Sequence, residues 1–337
     1  MMWKQLTLVV FVTAAVFGGL VAKAQAEISE LVVAQQYGFT QVPLMIAEHD
    51  KLIEKHLKAA GLGNTKVNWV KFAGAAAMND AILAGSLNIA NSGLPGLMLL
   101  WSKTKGNLNV KGIYATGALP LYVNTVNSAV KNIKDFTEKD KIAVPAAKIS
   151  IQAILLQMAA AKEFGKDNYS KLDRFTVTLA NPDAQAALAA GQSEITTHVA
   201  SPPSNFEELY DSRVRTILKS SDVVNGPVTL VVIFTTSKFR DENPKTYAAF
   251  TAAIREAMAV IEGDKTYAAE IYVKMTKSKN TVDEIAKMLG HPDIVFTLAP
   301  RNVGAIADFM YETGRIKAKP ASWKDLFFPE AHGLQGS

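Results

Sequence analysis

The sequence predicts an α/β protein of two lobes, each a mostly parallel sheet flanked by helices, joined by two chain crossings. Three observations carry this. Strand-prone and helix-prone segments alternate from Leu31 to about Asn243, the pattern of a parallel sheet covered on both faces. The stretch AILAGSLNIANSGLPG (Ala81–Gly96) has a counterpart in AALAAGQSEITTHVASPP (Ala186–Pro203). Placing Gly85 on Gly191 superposes Ala81 on Ala187, Ile82 on Leu188, Ala84 on Ala190 and Ile89 on Ile195, an offset of 106 residues. The length of 337 residues favours two lobes over one.

Met1-Met2-Trp3-Lys4, an almost uncharged apolar run from Leu6 to Val21, and Ala24-Gln25-Ala26 follow the order of a cleavable secretory leader, residues 1–26. The apolar run is short for a membrane span. Without Lys4 and Lys23, the 36 basic residues fall to 34 against 31 acidic ones, a formal charge of +3. That surplus is spread without a Lys/Arg block, which gives no support to nucleic-acid binding. The chain contains no cysteine, which excludes disulfides, thiolate metal sites, thiol catalysis and a lipid-modified cysteine anchor. An exported protein without a tether is expected in a bacterial periplasm.

The first expected strand, Leu31–Ala34, leads through Gln36, Tyr37, Gly38 and Phe39 into a helix from Gln41 to Ala60, with Ile46, Ile53, Leu57 and Ala60 on one stripe and Gly61 as its stop. His49 and His56 fall among its charged residues and receive no role. A second strand, Val67–Val70, passes through Gly74-Ala75 to a helix ended by Gly85. A third, Leu87–Ala90, gives way to Ser92, Gly93 and a helix with Pro95 in its first turn. Within KIAVPAAKISIQAILLQMAAA (Lys141–Ala161), Ile142 and Val144 mark a strand, Pro145 to Ser150 a small-residue loop with Lys148, and Ile151 onward a helix. Free N–H groups at such a helix start suit an anion. Small residues are also what any buried strand–helix turn requires.

Gly112–Asn124 and Asn225–Phe234 are both extended, apolar and interrupted by Gly and Pro; they are the candidate crossings, plain core strands being the alternative. From Asn243 the pattern is helical, over Pro244–Glu262, Lys265–Thr276, Thr281–Leu289 and Val303–Thr313. The aromatics of Trp323–Pro329 are expected to pack back on the first lobe as core.

The leader, MIAEHDKLIEKHLKAAGL, GALPLYVNT, KDFTEKDKIAVPAAKISIQAILL, PDAQAALAAGQSEIT and WKDLFF, in that order, resemble the nitrate, sulfonate and taurine branch of ABC-transporter substrate-binding proteins, which is shared with thiamine-pyrimidine-precursor binders. The resemblance implies a type II periplasmic-binding fold with lobe 1 formed by 27–117 and 227–337 and lobe 2 by 118–226. It further implies a monomer that holds a ligand between the lobes and delivers it to a membrane permease and its ATPase, with no cofactor and no metal.

Ligand contacts implied by the resemblance are Gln36, Tyr37, Gly74, Ala75, Ser92 and Thr116 from lobe 1 and Lys148, Ser150, His198 and Ser201 from lobe 2. Tyr37 or Phe39 would support an aromatic or aliphatic body. Where family members often carry an acidic or tryptophan-containing stretch, this chain has Thr196 to Pro203, so a purely negative ligand is favoured over a zwitterionic amine. Sulfonate, carboxylate, nitrate and aromatic acid remain alternatives. Closure is expected to add Lys148, Ser150 and His198, and Lys148→Ala or Ser150→Ala to weaken binding. The competing classes are a thiamine-pyrimidine-synthase-like enzyme, disfavoured by the missing cysteine and the leader, and a protein that presents its ligand to a membrane sensor.

Overall fold

A computed structural model describes residues 26–337 apart from 73 and 192. The leader expected over 1–26 thus lies, but for Ala26, outside the described residues. The chain runs β1 (Glu30–Gln35), α1 (Val42–His49), α2 (Leu52–Ala59), β2 (Lys66–Lys71), α3 (Ala75–Leu83), β3 (Ala90–Gly93), α4 (Leu94–Thr104) and β4 (Val110–Ala115). There follow β5 (Tyr122–Thr125), β6 (Lys141–Val144), α5 (Ile151–Phe164), β7 (Thr176–Thr178), α6 (Asn181–Ala190), β8 (Ile195–Ala200), α7 (Ser204–Glu207), β9 (Arg215–Lys219) and α8 (Ser220–Val224). The remainder is β10 (Val231–Thr236), α9 (Ser237–Glu242), α10 (Pro244–Gly263), α11 (Lys265–Thr276), α12 (Val282–Leu289) and α13 (Val303–Glu312).

β1 pairs parallel with β2, and β10 runs antiparallel between β3 and β4. A parallel bridge from Val33 to Ile89 joins the two sets, so the strands lie in the order β2-β1-β3-β10-β4. The second sheet has the order β7-β6-β8-β5-β9. Each sheet therefore holds a β-α-β-α-β run whose third strand sits beside its first, with an antiparallel strand next to it. α3-β3 and α6-β8 occupy matching places in the two runs. Gly85 and Gly191, which end those helices, both take a positive φ (74° and 67°). The internal repeat read from the sequence is thus a repeat of topology.

Three local expectations are corrected. The helix expected over 41–60 is two: Lys51 adopts φ 52° between an almost wholly buried α1 and an α2 that buries Leu52, Ile53 and Leu57. The turn changes direction where the burial requirement changes. The third strand begins at Ala90, three residues later than expected. Leu87 and Ile89 are buried on the approach, but pairing with β10 takes Ala90 to Gly93. Thirdly, the proposed crossings are not continuous strands: irregular stretches follow β4 and precede β10. There Ala118 bridges Thr229, so the two passages between the sheets run side by side.

Phe234, Phe250 and Phe327 are fully buried in the core around the first sheet, and Phe175, Ile142 and Val144 in a smaller cluster on the second. The tail packs as expected: Leu326, Phe327 and Phe328 are buried, and Phe328 N–H donates to the Gly112 carbonyl at 2.9 Å.

Candidate functional site

Four helices begin at one cavity of about 100 Å3 between the two sheets. Gly74 and Ala75 open α3, Gly93 and Gly96 stand at the start of α4, Ser150 caps α5, and Ala180 and Asn181 open α6. In α5 the Ser150 hydroxyl accepts from Ala153 N–H at 3.2 Å. The starts of α3, α4 and α6 have no side-chain cap. Uncapped helix starts offer N–H groups and a positive dipole end, each stabilising an anion by about 0.3–1 kcal/mol at an exposed site and more where water is excluded. Among the described residues, no charged side chain lines the cavity. Tyr37 and Ile149, both about 42% exposed, flank it as apolar walls.

Gly96 keeps this floor open. A Cβ there would stand 2.8 Å from Ser92 Oγ and 3.6 Å from Ala75 Cβ. Ser92 Oγ and Asn79 Oδ1 are buried beneath it with no partner among the described residues, an arrangement that leaves polar atoms for a guest or a water to satisfy.

Six of the eleven predicted residues line the cavity: Gln36, Tyr37, Gly74, Ala75, Ser150 and Ser201. The other five stand elsewhere, each for a definite reason. Phe39 is fully buried edge-on against Tyr272, 5.0 Å between centroids, and is core. Ser92 lies in β3 under Gly96, behind the lining. Thr116 is buried at the end of β4, its N–H held by the Val231 carbonyl at 3.2 Å. Lys148 takes φ 68° in a turn, is exposed, and is not among the residues that line the cavity. His198 is fully buried behind Asn181. With Lys148 outside the cavity, Lys148→Ala is expected to leave the dissociation constant within about twofold. Ser150→Ala, which removes a cap and a cavity hydroxyl, is expected to lower unfolding stability by about 1 kcal/mol and to weaken binding. Denaturant titration and calorimetry measure the two effects.

Sequence reasoning missed Asn181 and Gln152. Asn181 was within reach of the repeat: the 106-residue offset carries Gly74-Ala75 onto Ala180-Asn181, the same helix start in the second sheet. Gln152 in the first turn of α5 has no comparable sequence signal.

At Tyr37, Asn181 and Ser201 the cavity opens into a mouth of about 810 Å3. Lys71 Nζ sits over the Tyr37 ring at 4.3 Å from its centroid, so the rim carries a positive charge. Tyr272 also lines the mouth, and burial, with the Glu207 carboxylate adding to it, pushes its hydroxyl up. Two contacts clasp the sides of the mouth. Phe39 N–H donates to the Pro202 carbonyl at 3.0 Å, and Asn280 Nδ2 donates to Glu207.

Behind the lining, His198 Nδ1 is 2.5 Å from Glu208 Oε1 and Nε2 is 3.2 Å from Asn181 Oδ1. Asn181 Nδ2 in turn donates to Ser201 Oγ at 2.8 Å.

Against solved structures, the chain is similar to the alkanesulfonate-binding protein SsuA from Xanthomonas axonopodis pv. citri bound to MOPS (TM-score 0.67, 17% identity, 89% of this chain and 98% of that one). It is also similar to the periplasmic aliphatic sulphonate binding protein SsuA from Escherichia coli (0.65, 19%, 92% and 95%). A third likeness is to the periplasmic nitrate-binding protein NrtA from Synechocystis PCC 6803 (0.63, 15%, 89% and 84%). At these identities the likeness is one of fold, the periplasmic-binding fold expected from the sequence. No curated protein sequence matches the chain. The family model described as NMT1-like family matches residues 25–276, most of the chain, and the chain belongs to the NMT1-like family.

Proposed function

We propose that the protein is the exported solute-binding component of an ABC importer, capturing a small organic or inorganic oxyanion between two lobes and delivering it to a permease. The observation that carries the reading is the meeting of four helix N-termini, three without side-chain caps, on one cavity that, among the described residues, no carboxylate lines. Such a site offers donors and partial positive charge and nothing to balance an ammonium group. The solved structures of like fold are described as binding sulfonates or nitrate, which supports the same class of ligand. The lobes are 27–117 with 227–337, and 118–226, hinged where Ala118 and Thr229 run side by side. A periplasmic monomer is the form that suits this role.

A thermal-shift screen of alkanesulfonates, aromatic sulfonates, carboxylates and nitrate tests the reading. A ligand at a hundred times its dissociation constant is expected to add about 2.7 kcal/mol of stability. A flat response to every anion, with a shift for an amine or a sugar, would overturn it.

A further inference from the structure

We propose that the buried Glu208–His198 pair is a positioning set. By fixing the Asn181 amide, it makes the second-sheet edge of the cavity a donor-only surface that selects ligands presenting acceptors. The inference rests on the anion-binding reading above and names what enforces it.

The hydrogen bonds form one connected relay. The Asn205 carbonyl, which only accepts, takes one Nδ2–H of Asn124 at 3.0 Å, so the same nitrogen faces Glu208 Oε2, 2.8 Å away, and Thr216 Oγ1 donates to Asn124 Oδ1 at 2.7 Å. Glu208 therefore accepts on Oε2 and meets His198 Nδ1 through Oε1. On the far side of the imidazole stands Asn181 Oδ1, 3.2 Å from Nε2; with the amide turned this way its oxygen only accepts, and the proton of that bond is on Nε2. With its oxygen engaged, Asn181 donates one Nδ2–H to Ser201 Oγ. Its second Nδ2–H and the Ser201 hydroxyl proton are then free for the cavity, which both residues line. One proton shared by the buried pair thus sets the polarity of two cavity groups. If the pair loses that proton, the remaining imidazole proton goes to Nδ1, facing the Glu208 carboxylate. Nε2 becomes an acceptor, the Asn181 amide must turn over, and Ser201 is drawn into donating to its oxygen.

The surroundings leave Glu208 to hold this proton alone. Beside His198, β5 contributes Asn124 and β6 contributes Ala143, and α5 has no charged residue before Lys162. Glu207 on α7 is engaged by Gln185 and Asn280, and Asp183 on α6 is exposed.

The test uses the full mature chain with ethanesulfonate and nitrate as probes, titrated calorimetrically at about pH 7. Glu208→Leu, which leaves Nδ1 without its partner and the Asn181 amide free to turn, is expected to weaken binding of both probes roughly tenfold. Glu208→Gln behaves differently. Asn124 draws the oxygen of the substituted side chain toward itself, the new amide nitrogen donates to Nδ1, and His198 keeps Nε2–H. This variant is expected to recover most of the affinity that Glu208→Leu loses. Asn181→Asp, which removes the donors and adds a charge, is expected to weaken anion binding by roughly a hundredfold. Unchanged affinity in Glu208→Leu, or a loss in Glu208→Gln as large as in Glu208→Leu, overturns the proposal. Nitrogen-15 NMR of the His198 ring at pH 7 decides it independently of ligand: a protonated Nε2 supports it, and a bare Nε2 overturns it. If wild type binds neither probe, the anion-binding reading fails for these ligands, and the ring measurement still decides whether the hydrogen-bond relay exists.

Discussion

Replacing Gly38 with alanine is expected to weaken ligand binding by roughly ten- to a hundredfold without altering any group that lines the anion cavity. Gly38 has φ 89° and ψ −176°, a conformation that side chains other than hydrogen rarely tolerate, at a cost of about 1–3 kcal/mol. A Cβ there would also stand 2.8 Å from the Pro202 carbonyl oxygen, the atom that accepts the Phe39 N–H. Gly38 belongs to the loop after β1 and Pro202 to the loop after β8, so the contact spans the two proposed lobes. If they part in the free protein, the clash falls on the closed state alone, and a ligand that requires closure bears its full cost. Calorimetry should show the weaker binding, while the unliganded variant bears the backbone cost alone and loses no more than about 1–3 kcal/mol of unfolding stability. An unchanged dissociation constant, or equal destabilisation of free and bound protein, would mean that closure does not depend on this approach.

The topology was legible because it rests on periodicity and punctuation, which are local. Glycines at 85 and 191 end equivalent helices, and the small-residue loops at Gly74-Ala75 and Pro145 to Ser150 sit where strand gives way to helix. The site was legible at helix starts and at the loops after strands: Gly74, Ala75 and Ser150 line the cavity because helix starts do, and Gln36, Tyr37 and Ser201 because they follow β1 and β8. Side chains were read less well. Their destination depends on the facing sheet, as with Phe39, turned into Tyr272, and His198, sealed behind Asn181. Lys148 was drawn into the expected site by its charge, yet in its left-handed turn it is exposed and outside the lining. Nothing in a single sequence encodes that turn for a lysine. The interlobe clasps of Phe39 with Pro202 and Asn280 with Glu207 join residues more than seventy positions apart, beyond any local pattern.

The largest loss of stability is expected from Phe327→Ala, about 3–5 kcal/mol for emptying a fully buried ring site. β4 is the outer strand of its sheet, and Gly112 within it bridges Phe327, so the tail covers an edge that would otherwise expose unpaired backbone. The ring occupies the space a side chain at 112 would need: a Cβ there would meet Phe327 Cδ1 at 2.6 Å and Val232 Cγ1 at 3.1 Å. Gly112→Ala by itself is therefore expected to cost about 1–3 kcal/mol through overpacking. Combined with Phe327→Leu, which removes the atoms it strikes, it should cost less than the two single changes added together, with a coupling of about 0.5–3 kcal/mol. Urea unfolding of the four proteins measures that coupling. Additive losses would mean that glycine at 112 answers to the strand's backbone and not to the ring. A positive coupling would make the tail a structural part of the sheet whose strand β4 leads into the passage between lobes, and would place the chain's last aromatic residues among the supports of the hinge.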